Sequence, residues 1–233
     1  MIEFGLDGSF NYSGKALENC PSGAITGQWF IILEYISRGT FVDLMHQSGK
    51  LTEPVAKYFF EQMIDAIAYL NEKGVAHRDL KLDNMLVNGA YQVKISDFSF
   101  ASSEAVTPGD IRGTPNYMAP EILEKTATNG MISDVFSVGV ILFCCLTNKF
   151  PFKLARASDA RYKLIIEKDY KAFWEAVKIG EGDLTEEARD LIQALIEHEP
   201  EKRIKLADIK KHEWFEAADQ LSDEVVDANY LAK

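Results

Sequence analysis

The stretch "VAHRDLKLDNMLV", residues 75–87, places six charged or polar side chains between two short apolar clusters. Its apolar ends favour burial of the flanks. A polar run of this kind is most often a solvated turn in which Asp and Asn side chains cap the backbone. The alternative is the edge of an active site, and the segments that follow decide between the two interpretations.

A short hairpin is predicted directly after this stretch. The segment "MLVNGAYQVKI", residues 85–95, has two β-rich halves around an Asn-Gly pair, which is a hairpin signal. With Val87 and Gln92 flanking the loop, antiparallel pairing carries Asn84 to within a residue or two of Asp97. An amide oxygen beside a carboxylate suits Mg²⁺ that also holds substrate phosphates. The hairpin therefore predicts a magnesium site at its open end.

Two further side chains of the stretch suit proton and charge chemistry. Asp79 could accept a hydroxyl proton, and Lys81 could neutralise charge that builds on a transferred phosphoryl group. For any one of these residues alone, a solvated turn is the commoner outcome. The order of further motifs along the chain favours an active site over a solvated turn.

Helical patterns dominate the remaining chain. A long amphipathic helix is predicted from Thr52, with Pro54 in its first turn and Gly74 at its end. Residues 133–147, "SDVFSVGVILFCCLT", are apolar nearly all round and predict a central buried helix. Residues 29–35, "WFIILEY", predict a buried strand.

Composition argues against several classes of protein. The 233 residues include 36 acidic and 25 basic side chains, a formal net charge of −11, which disfavours nucleic acid or anionic lipid as the main partner. Three cysteines without disulfide or zinc spacing favour a reducing intracellular compartment, and we expect a cytoplasmic protein. We expect no membrane span, because the most hydrophobic run, residues 138–146, is too short. The sequence leaves the oligomeric state open.

Three motifs occur in an order that resembles the catalytic region of eukaryotic protein kinases. They are "HRDLKLDN" at 77–84, called the catalytic loop below, "KISDF" at 94–98 and "GTPNYMAPE" at 113–121. The resemblance extends from about Trp29 to Phe215. It implies an α+β, protein-kinase-like fold, mostly the helical large lobe with a remnant of the small β lobe. The residues of the catalytic loop resemble those of serine/threonine kinases. The sequence is most similar to the calmodulin-dependent and AMP-activated group.

The resemblance divides the chain into three parts. Residues 1–28 would be an irregular N-terminal remnant of the small lobe, 29–215 the kinase catalytic domain, and 216–233 an acidic C-terminal tail. The family's glycine-rich loop and ATP-binding lysine are not visible before residue 29. Three alternatives therefore stay open: a kinase, whole or part of a longer chain; a pseudokinase or binding scaffold; and a gene model that has lost an upstream segment.

The resemblance assigns roles in phosphoryl transfer from ATP to Ser/Thr hydroxyls of protein substrates, with Mg²⁺ as the metal. By similarity, Asp79 is the catalytic base, Lys81 faces the transferred phosphate, and Asn84 and Asp97 are the magnesium ligands. Ser99 stands where the family has glycine, so we expect its loop to switch conformation less freely.

Adenine contacts are assigned to the segment before the catalytic loop and to one residue after it. The resemblance gives adenine hydrogen bonds to the backbones of Glu34 and Ile36, and it places Leu86 under the ring. Leu33 takes the gatekeeper position.

Regulatory and structural roles follow from the same likeness. Kinases of this group carry an activating phosphothreonine eleven positions before the Glu of the third motif, and here that position is Asp110. Our hypothesis is that Asp110 gives Arg78 a permanent, weaker charge, so that no upstream kinase is needed; an ordinary "PGD" turn is the alternative. Thr114 is grouped with these two regulatory residues. Asp134 is expected to brace the catalytic loop.

Substrate preference is indicated only weakly. Kinases that select basic peptides place acidic residues at two positions, and here Thr40 occupies the first and Asp83 the second. The resemblance therefore implies protein substrates with a mild preference for basic peptides.

Overall fold

The computed structural model describes residues 33–103, 109–126 and 129–216. The chain divides into two units, Met1–Ile36 and Ser37–Lys233. In the first unit, residues 33–36 form no strand, and Leu33 and Tyr35 are exposed. The predicted buried strand is therefore wrong for residues 33–35, and its first four residues lie outside the described residues.

Helices make up most of the described part of the second unit. The strands β1 (Met85–Val87) and β2 (Val93–Ile95) form a two-stranded antiparallel sheet. The helices are α1 (Phe41–Ser48), α2 (Glu53–Glu72), α3 (Pro120–Leu123), α4 (Gly130–Thr147), α5 (Ala160–Ile166), α6 (Tyr170–Ala176), α7 (Glu186–Leu195), α8 (Leu206–Ile209) and α9 (Glu213–Glu216). This is the predicted α+β fold with a dominant helical part.

Helix α1 begins at a capping box that the sequence analysis did not predict. The backbone N–H of Thr40 donates to the Asp43 carboxylate over 2.8 Å, and the Asp43 N–H donates to the Thr40 hydroxyl over 3.1 Å. Two otherwise unpaired donors of the first turn are satisfied in this way. Thr40 thus has a structural task at the start of α1.

The predicted long helix is confirmed as α2. Thr52 holds its N-cap position without a side-chain capping bond, and proline lies in its first turn. Gly74 follows the helix with φ of +70°, a conformation that glycine adopts without strain. The apolar face of α2 is buried against α4 and the hairpin.

Helix α4 is the predicted central helix, and nearly all of its residues are buried. It has a mean hydropathy of 2.0 over 18 residues, so its length and composition would allow a membrane span; 83% of that window is buried inside the protein. Gly139 allows α4 and α7 to approach closely, because an added Cβ would lie 2.6 Å from Cβ of Leu195.

The hairpin forms with a loop one residue longer than predicted. Val87 pairs with Val93, and Met85 pairs with Ile95. Asn88 explains the longer loop, since its carboxamide oxygen accepts the N–H groups of Ala90 and Gln92. The predicted approach of Asn84 to within a residue or two of Asp97 still holds, because the pairing puts Ser96, directly after β2, beside Asn84, directly before β1.

Two further backbone pairings position the catalytic loop. Residues 38–40 run beside β1, with the Arg38 N–H on the Val87 carbonyl and the Val87 N–H on the Gly39 carbonyl. Ala76 and Ser102 exchange two backbone hydrogen bonds of 2.9 and 3.0 Å. The second pairing joins the segments before the loop and after the "KISDF" motif, and it was not predicted.

Candidate active site

The buried carboxylate of Asp134 holds the backbone of the catalytic loop in place. Asp134 of α4 is 2% exposed, and its two oxygens accept the backbone N–H groups of His77 over 2.7 Å and Arg78 over 2.8 Å. Arg78 has φ of +69°, so the loop turns sharply there in a conformation that most residues avoid. Burial raises the pKa of Asp134 to about 7, while the two N–H groups favour its ionised form. Asp134 therefore lies where the resemblance expected it.

His77 is a second internal support, and sequence reasoning gave it no role. Its Nδ1 accepts the Asp79 N–H over 3.3 Å, so Nε2 carries the proton and donates to the Ser96 carbonyl over 3.0 Å. Burial lowers the pKa of His77, which keeps the ring neutral. The ring connects the catalytic loop to the end of β2. The only signal for His77 in the sequence was its position as the first residue of the "HRDLKLDN" motif.

Asp79, Lys81 and Thr114 form one hydrogen-bonded cluster. The Thr114 hydroxyl donates to Oδ1 of Asp79 over 2.7 Å, and Nζ of Lys81 donates to Oδ2 over 2.8 Å. Nζ of Lys81 also donates to the Thr114 hydroxyl over 2.9 Å. Asp79 is 6% exposed. Two side chains thus fix the orientation of its carboxylate while the cationic group stays beside it.

Gly113 makes this cluster possible. It has φ of +117°, and an added Cβ would lie 2.6 Å from the carbonyl oxygen of Arg78. Only glycine allows the backbone before Thr114 to approach the catalytic loop so closely.

Asn84 is oriented by Asp79. Its Nδ2 donates to the Asp79 carbonyl over 2.9 Å and to Oδ2 of Asp79 over 3.3 Å. The Asn84 carbonyl accepts both the N–H and the hydroxyl of Ser96. With its nitrogen occupied, the side chain keeps its amide oxygen for another partner.

Asp97 follows Ser96 directly and is exposed. Hydrogen bonds from the hydroxyl and the backbone N–H of Ser99 hold the pKa of Asp97 below its usual value. The left-handed residue of this motif is Asp97, with φ of +60°; Ser99 does not have a positive φ. The expectation that Ser99 makes this loop switch conformation less freely stays a prediction.

The donor set at the open end of the hairpin fits a hard cation. It consists of one amide oxygen, from Asn84, and one ionised carboxylate, from Asp97, on adjacent strand ends. Oxygen ligands of this type, completed by water and phosphate, suit Mg²⁺. Within the described residues, no group of three or more His, Cys, Asp or Glu side chains could hold a metal. Water and a substrate phosphate would supply the remaining ligands.

Arg78 points to the predicted regulatory position. Its Nη2 lies 2.6 Å from Oδ2 of Asp110, and Nε of Arg112 lies 2.7 Å from Oδ1. The Arg78 side chain is 8% exposed and that of Asp110 is 28% exposed. Hydrogen bonds from Arg78 and then Arg112 hold the pKa of Asp110 below its usual value. Asp110 is thus a carboxylate between two guanidinium groups, which an ordinary turn does not require.

A buried ion pair ties α3 to the segment before α8. Both nitrogens of the Arg203 fork contact the Glu121 carboxylate, over 2.7 and 3.0 Å. Ser133 donates a further bond of 2.9 Å to Glu121. The Arg203 guanidinium lies 5.0 Å from the centre of the Phe136 ring, where the family more often has tryptophan. A cation over an aromatic face adds to the attraction.

The three predicted adenine contacts fall in different units. Leu86 is half-buried in β1. Glu34 and Ile36 belong to the first unit, and both are outside regular secondary structure. Their assignment stays a prediction.

Comparison with known proteins identifies the family. The protein kinase domain family matches residues 22–215. The chain belongs to this family. Its motifs and its relatives place this kinase domain among the eukaryotic serine/threonine kinases of the predicted calmodulin-dependent and AMP-activated type. Members of the family generally use ATP and Mg²⁺ and act on proteins.

Several named kinases are similar over most of this kinase domain. CBL-interacting protein kinase 1 of Oryza sativa subsp. japonica is 38% identical over 192 residues, 80% of this chain and 40% of the relative. Serine/threonine-protein kinase GIN4 of Saccharomyces cerevisiae is 37% identical, over 78% of this chain and 16% of the relative. Serine/threonine-protein kinase SAPK9 of rice is 34% identical, over 86% and 56%. The chain thus spans less than two thirds of the relatives it matches.

Proposed function

We propose that this kinase domain transfers the γ-phosphate of ATP to serine or threonine hydroxyls of protein substrates. The observation that carries the proposal is the cluster of Asp79, Lys81 and Thr114, in which an oriented carboxylate lies beside a fixed ammonium group. The relatives' names as serine/threonine kinases support it. A pseudokinase or scaffold is the alternative, and none of the comparisons favours it.

Asp79 acts in the proposal as the base. Its carboxylate is fixed by Thr114 and Lys81, and Oδ1, which accepts only the Thr114 hydroxyl among the described residues, retains a lone pair that can accept the proton of an attacking hydroxyl. Lys81 brings a positive charge next to the same point, where it offsets the negative charge of a transferring phosphoryl group. The loop thus positions proton and charge chemistry within one hydrogen-bonded cluster.

Asn84 and Asp97 would hold Mg²⁺. The ion, when bound, neutralises phosphate charge and orients the phosphates. Hydrogen bonds from Ser99 lower the pKa of Asp97 and so favour its ionised form, and the bonds from Nδ2 of Asn84 to Asp79 leave the amide oxygen of Asn84 available to the ion. For adenine, we propose the backbones of Glu34 and Ile36 and the side chain of Leu86.

Arg78, Asp110 and Thr114 form the proposed regulatory set. The Asp110 carboxylate pairs with Arg78 at the position where the family carries a phosphothreonine. This charge would hold the loop around Asp110 in place without phosphorylation by an upstream kinase. Thr114 connects that loop to Asp79. We therefore propose a constitutively ordered loop.

The remaining finer proposals follow the sequence. Asp83 is exposed on the catalytic loop and would favour a basic side chain in the substrate, whereas Thr40 is occupied as the cap of α1. We propose an intracellular, cytoplasmic protein, with a catalytic domain at 29–215 between the segments 1–28 and 216–233.

Phosphoamino acid analysis tests the acceptor. The full chain is incubated with Mg²⁺, γ-labelled ATP and a generic basic protein, and the labelled product is hydrolysed. Label on phosphoserine or phosphothreonine is expected. Label on phosphotyrosine, or none, would overturn the proposal.

Magnesium binding tests the metal ligands separately from turnover. Mn²⁺ serves as a spectroscopic probe in the presence of ATP, and its electron paramagnetic resonance signal reports the bound fraction. Asp97→Asn should weaken Mn²⁺ binding at least tenfold, and Asp65→Asn, an exposed control, should not. Equal affinity in both variants would contradict the assignment.

A further inference from the structure

The two strands of the hairpin are anchored to different extents. Met85 and Val87 of β1 are fully buried, whereas every residue of β2 is only partly buried. A two-stranded hairpin has little stability of its own, so each strand depends on contacts with the rest of the domain. Apolar burial therefore holds β1 more firmly than β2.

Both outer edges of the hairpin form hydrogen bonds. The outer edge of β1 pairs with residues 38–40. Asn84 and Ser96 form a hydrogen-bonded pair, and such pairs alternate along an antiparallel ladder, so the Val93 N–H faces the outer edge of β2. It donates to Oε1 of Gln62, in the middle of α2, over 3.0 Å. Gln62 thus satisfies a donor that faces away from β1.

The Gln62 side chain binds this edge with both ends of its carboxamide. Besides the bond that Oε1 accepts from Val93, Nε2 donates to the Tyr91 carbonyl over 3.3 Å. Nε2 also donates to the Tyr58 carbonyl, one turn earlier in α2, over 3.3 Å, which fixes the direction of the side chain. The carboxamide therefore donates and accepts as a peptide group of a neighbouring strand would.

The second contact of Gln62 is to a residue in a strained conformation. Tyr91 has φ of +55°, which residues other than glycine adopt at a cost. Such a conformation persists only where the surroundings hold it. The Tyr91 ring is 2% exposed, and the Arg38 guanidinium lies 4.0 Å from its centre. The ring and the carbonyl of Tyr91 are thus both held, just before β2 begins.

The geometry of the proposed metal site depends on β2. Ser96 follows β2 directly and donates to the Asn84 carbonyl from both its N–H and its hydroxyl, and Asp97 is the next residue. A shift of the strand by one residue would turn each side chain to the opposite face of the hairpin. Asp97 would then no longer lie beside Asn84. A contact that fixes β2 therefore also fixes the separation of the two proposed ligands.

We propose that Gln62 is a positioning residue for Mg²⁺ binding. Its carboxamide fixes β2 to the long helix α2 and thereby keeps Asp97 beside Asn84. The inference rests on the proposed function, in which these two residues hold the ion. Gln62 acts through β2 and is not itself a metal ligand. Helix α2 is a rigid support, because its apolar face is part of the core.

Amide hydrogen exchange tests the anchor without metal or nucleotide. Gln62→Met keeps the length of the side chain and removes both hydrogen-bonding groups. The Val93 amide should exchange about tenfold faster in this variant, as measured by nuclear magnetic resonance, because β2 opens locally. The amide of Ile67, on the buried face of α2, is the internal reference and should accelerate less. Equal acceleration of the two amides would overturn the inference, since it would show general loosening of the domain.

Mn²⁺ binding in the presence of ATP tests the consequence for the metal site. Gln62→Met should weaken Mn²⁺ binding by about threefold or more, measured by electron paramagnetic resonance. Gln62→Glu is the conservative variant, and it should retain more affinity because its carboxylate still accepts the Val93 N–H. Gly139→Ala disturbs the packing of α4 against α7 instead of the hairpin, and its affinity should stay within about twofold of the wild type.

Three results in the Mn²⁺ series would overturn the inference. They are a loss below threefold in Gln62→Met, a loss in Gln62→Glu as large as that in Gln62→Met, and equal losses in Gln62→Met and Gly139→Ala. Asp97→Asn, measured beside them, separates this inference from the proposed function. If Asp97→Asn weakens binding and Gln62→Met does not, the metal ligands stand and Gln62 has no positioning role. If Asp97→Asn binds as the wild type does, the ligand assignment itself fails.

Discussion

Arg78 and Asp110 are joined by an ion pair of 2.6 Å across 32 residues of sequence. Arg78 lies directly before the proposed base, and Asp110 lies directly before the segment that carries Gly113 and Thr114. Because Thr114 donates to Asp79, the pair holds the two halves of the active-site cluster in one arrangement. We propose that the order of residues 109–114 depends on this ion pair.

Removing the Asp110 carboxylate should open the loop. Trypsin has one site within residues 97–121, after Arg112, and Arg112 itself contacts Asp110. Asp110→Ala should raise the rate of cleavage there by roughly tenfold, because local opening becomes easier when charged hydrogen bonds are lost. Asp110→Asn, which keeps the shape but not the charge, should cleave at an intermediate rate. Wild-type rates in both variants would show that the pair does not order the loop.

The same pair predicts a pH dependence. The folded-state pKa of Asp110 lies below its usual value, so its stabilising contribution is complete above the usual carboxyl range and is lost as the pH falls through the lowered pKa. Hydrogen exchange of peptides covering residues 109–121, corrected for intrinsic rates, should rise below about pH 4. In Asp110→Asn, which has no titratable carboxyl group at this position, the rise in hydrogen exchange below about pH 4 should be absent. An identical profile in the two proteins would assign the transition to other groups.

Breaking the buried pair of Glu121 and Arg203 should destabilise the domain. Arg203→Leu leaves the Glu121 carboxylate buried without its partner, and we expect a loss of about 3–5 kcal/mol in the free energy of unfolding. Urea denaturation measures it. The double variant Glu121→Leu with Arg203→Leu should lose less than the sum of the single changes. The exposed pair of Lys163 and Glu167 is the control, and Glu167→Ala should cost less than about 0.5 kcal/mol.

Gly139 should not tolerate a side chain. A Cβ at this position would lie 2.6 Å from Cβ of Leu195 and 2.8 Å from Cγ2 of Ile196, both buried. Gly139→Ala should therefore destabilise the domain by about 1–3 kcal/mol through overpacking between α4 and α7. Gly89→Ala, whose Cβ would meet only the Ser37 hydroxyl at 3.3 Å, should be close to neutral. Equal unfolding midpoints in the two variants would contradict the close packing.

Local signals predicted much of this domain. The helical period predicted α2, and a long run that is apolar nearly all round predicted the buried helix α4. The hairpin was expected with its loop one residue too short, since the two bonds accepted by the Asn88 side chain cannot be read from spacing. The strand expected at residues 33–35 was wrong, because a short apolar run does not specify its partner.

The candidate site was predictable in its motifs and less so in its contacts. Asp79 and Lys81 were singled out by their place beside the predicted metal ligands and by the family resemblance, but the bond from Thr114 to Asp79 spans 35 residues and depends on the turn at Gly113. The pairing of Ala76 with Ser102 is likewise non-local. The role of His77 emerges only from its burial between two loops. Such contacts join residues that are distant in sequence. They therefore leave no repeating pattern in the sequence from which they could be predicted.

The central claim is tested most directly by the rate of phosphoryl transfer in Asp79→Asn. Transfer from γ-labelled ATP to a generic basic protein is measured with Mg²⁺ for wild type, Asp79→Asn and the exposed control Asp65→Asn. The wild type and the control should label the substrate at equal rates, and Asp79→Asn should be slower by about 100-fold or more, the usual contribution of a general base. Absence of transfer by the wild-type chain, or equal rates in wild type and Asp79→Asn, would contradict the account.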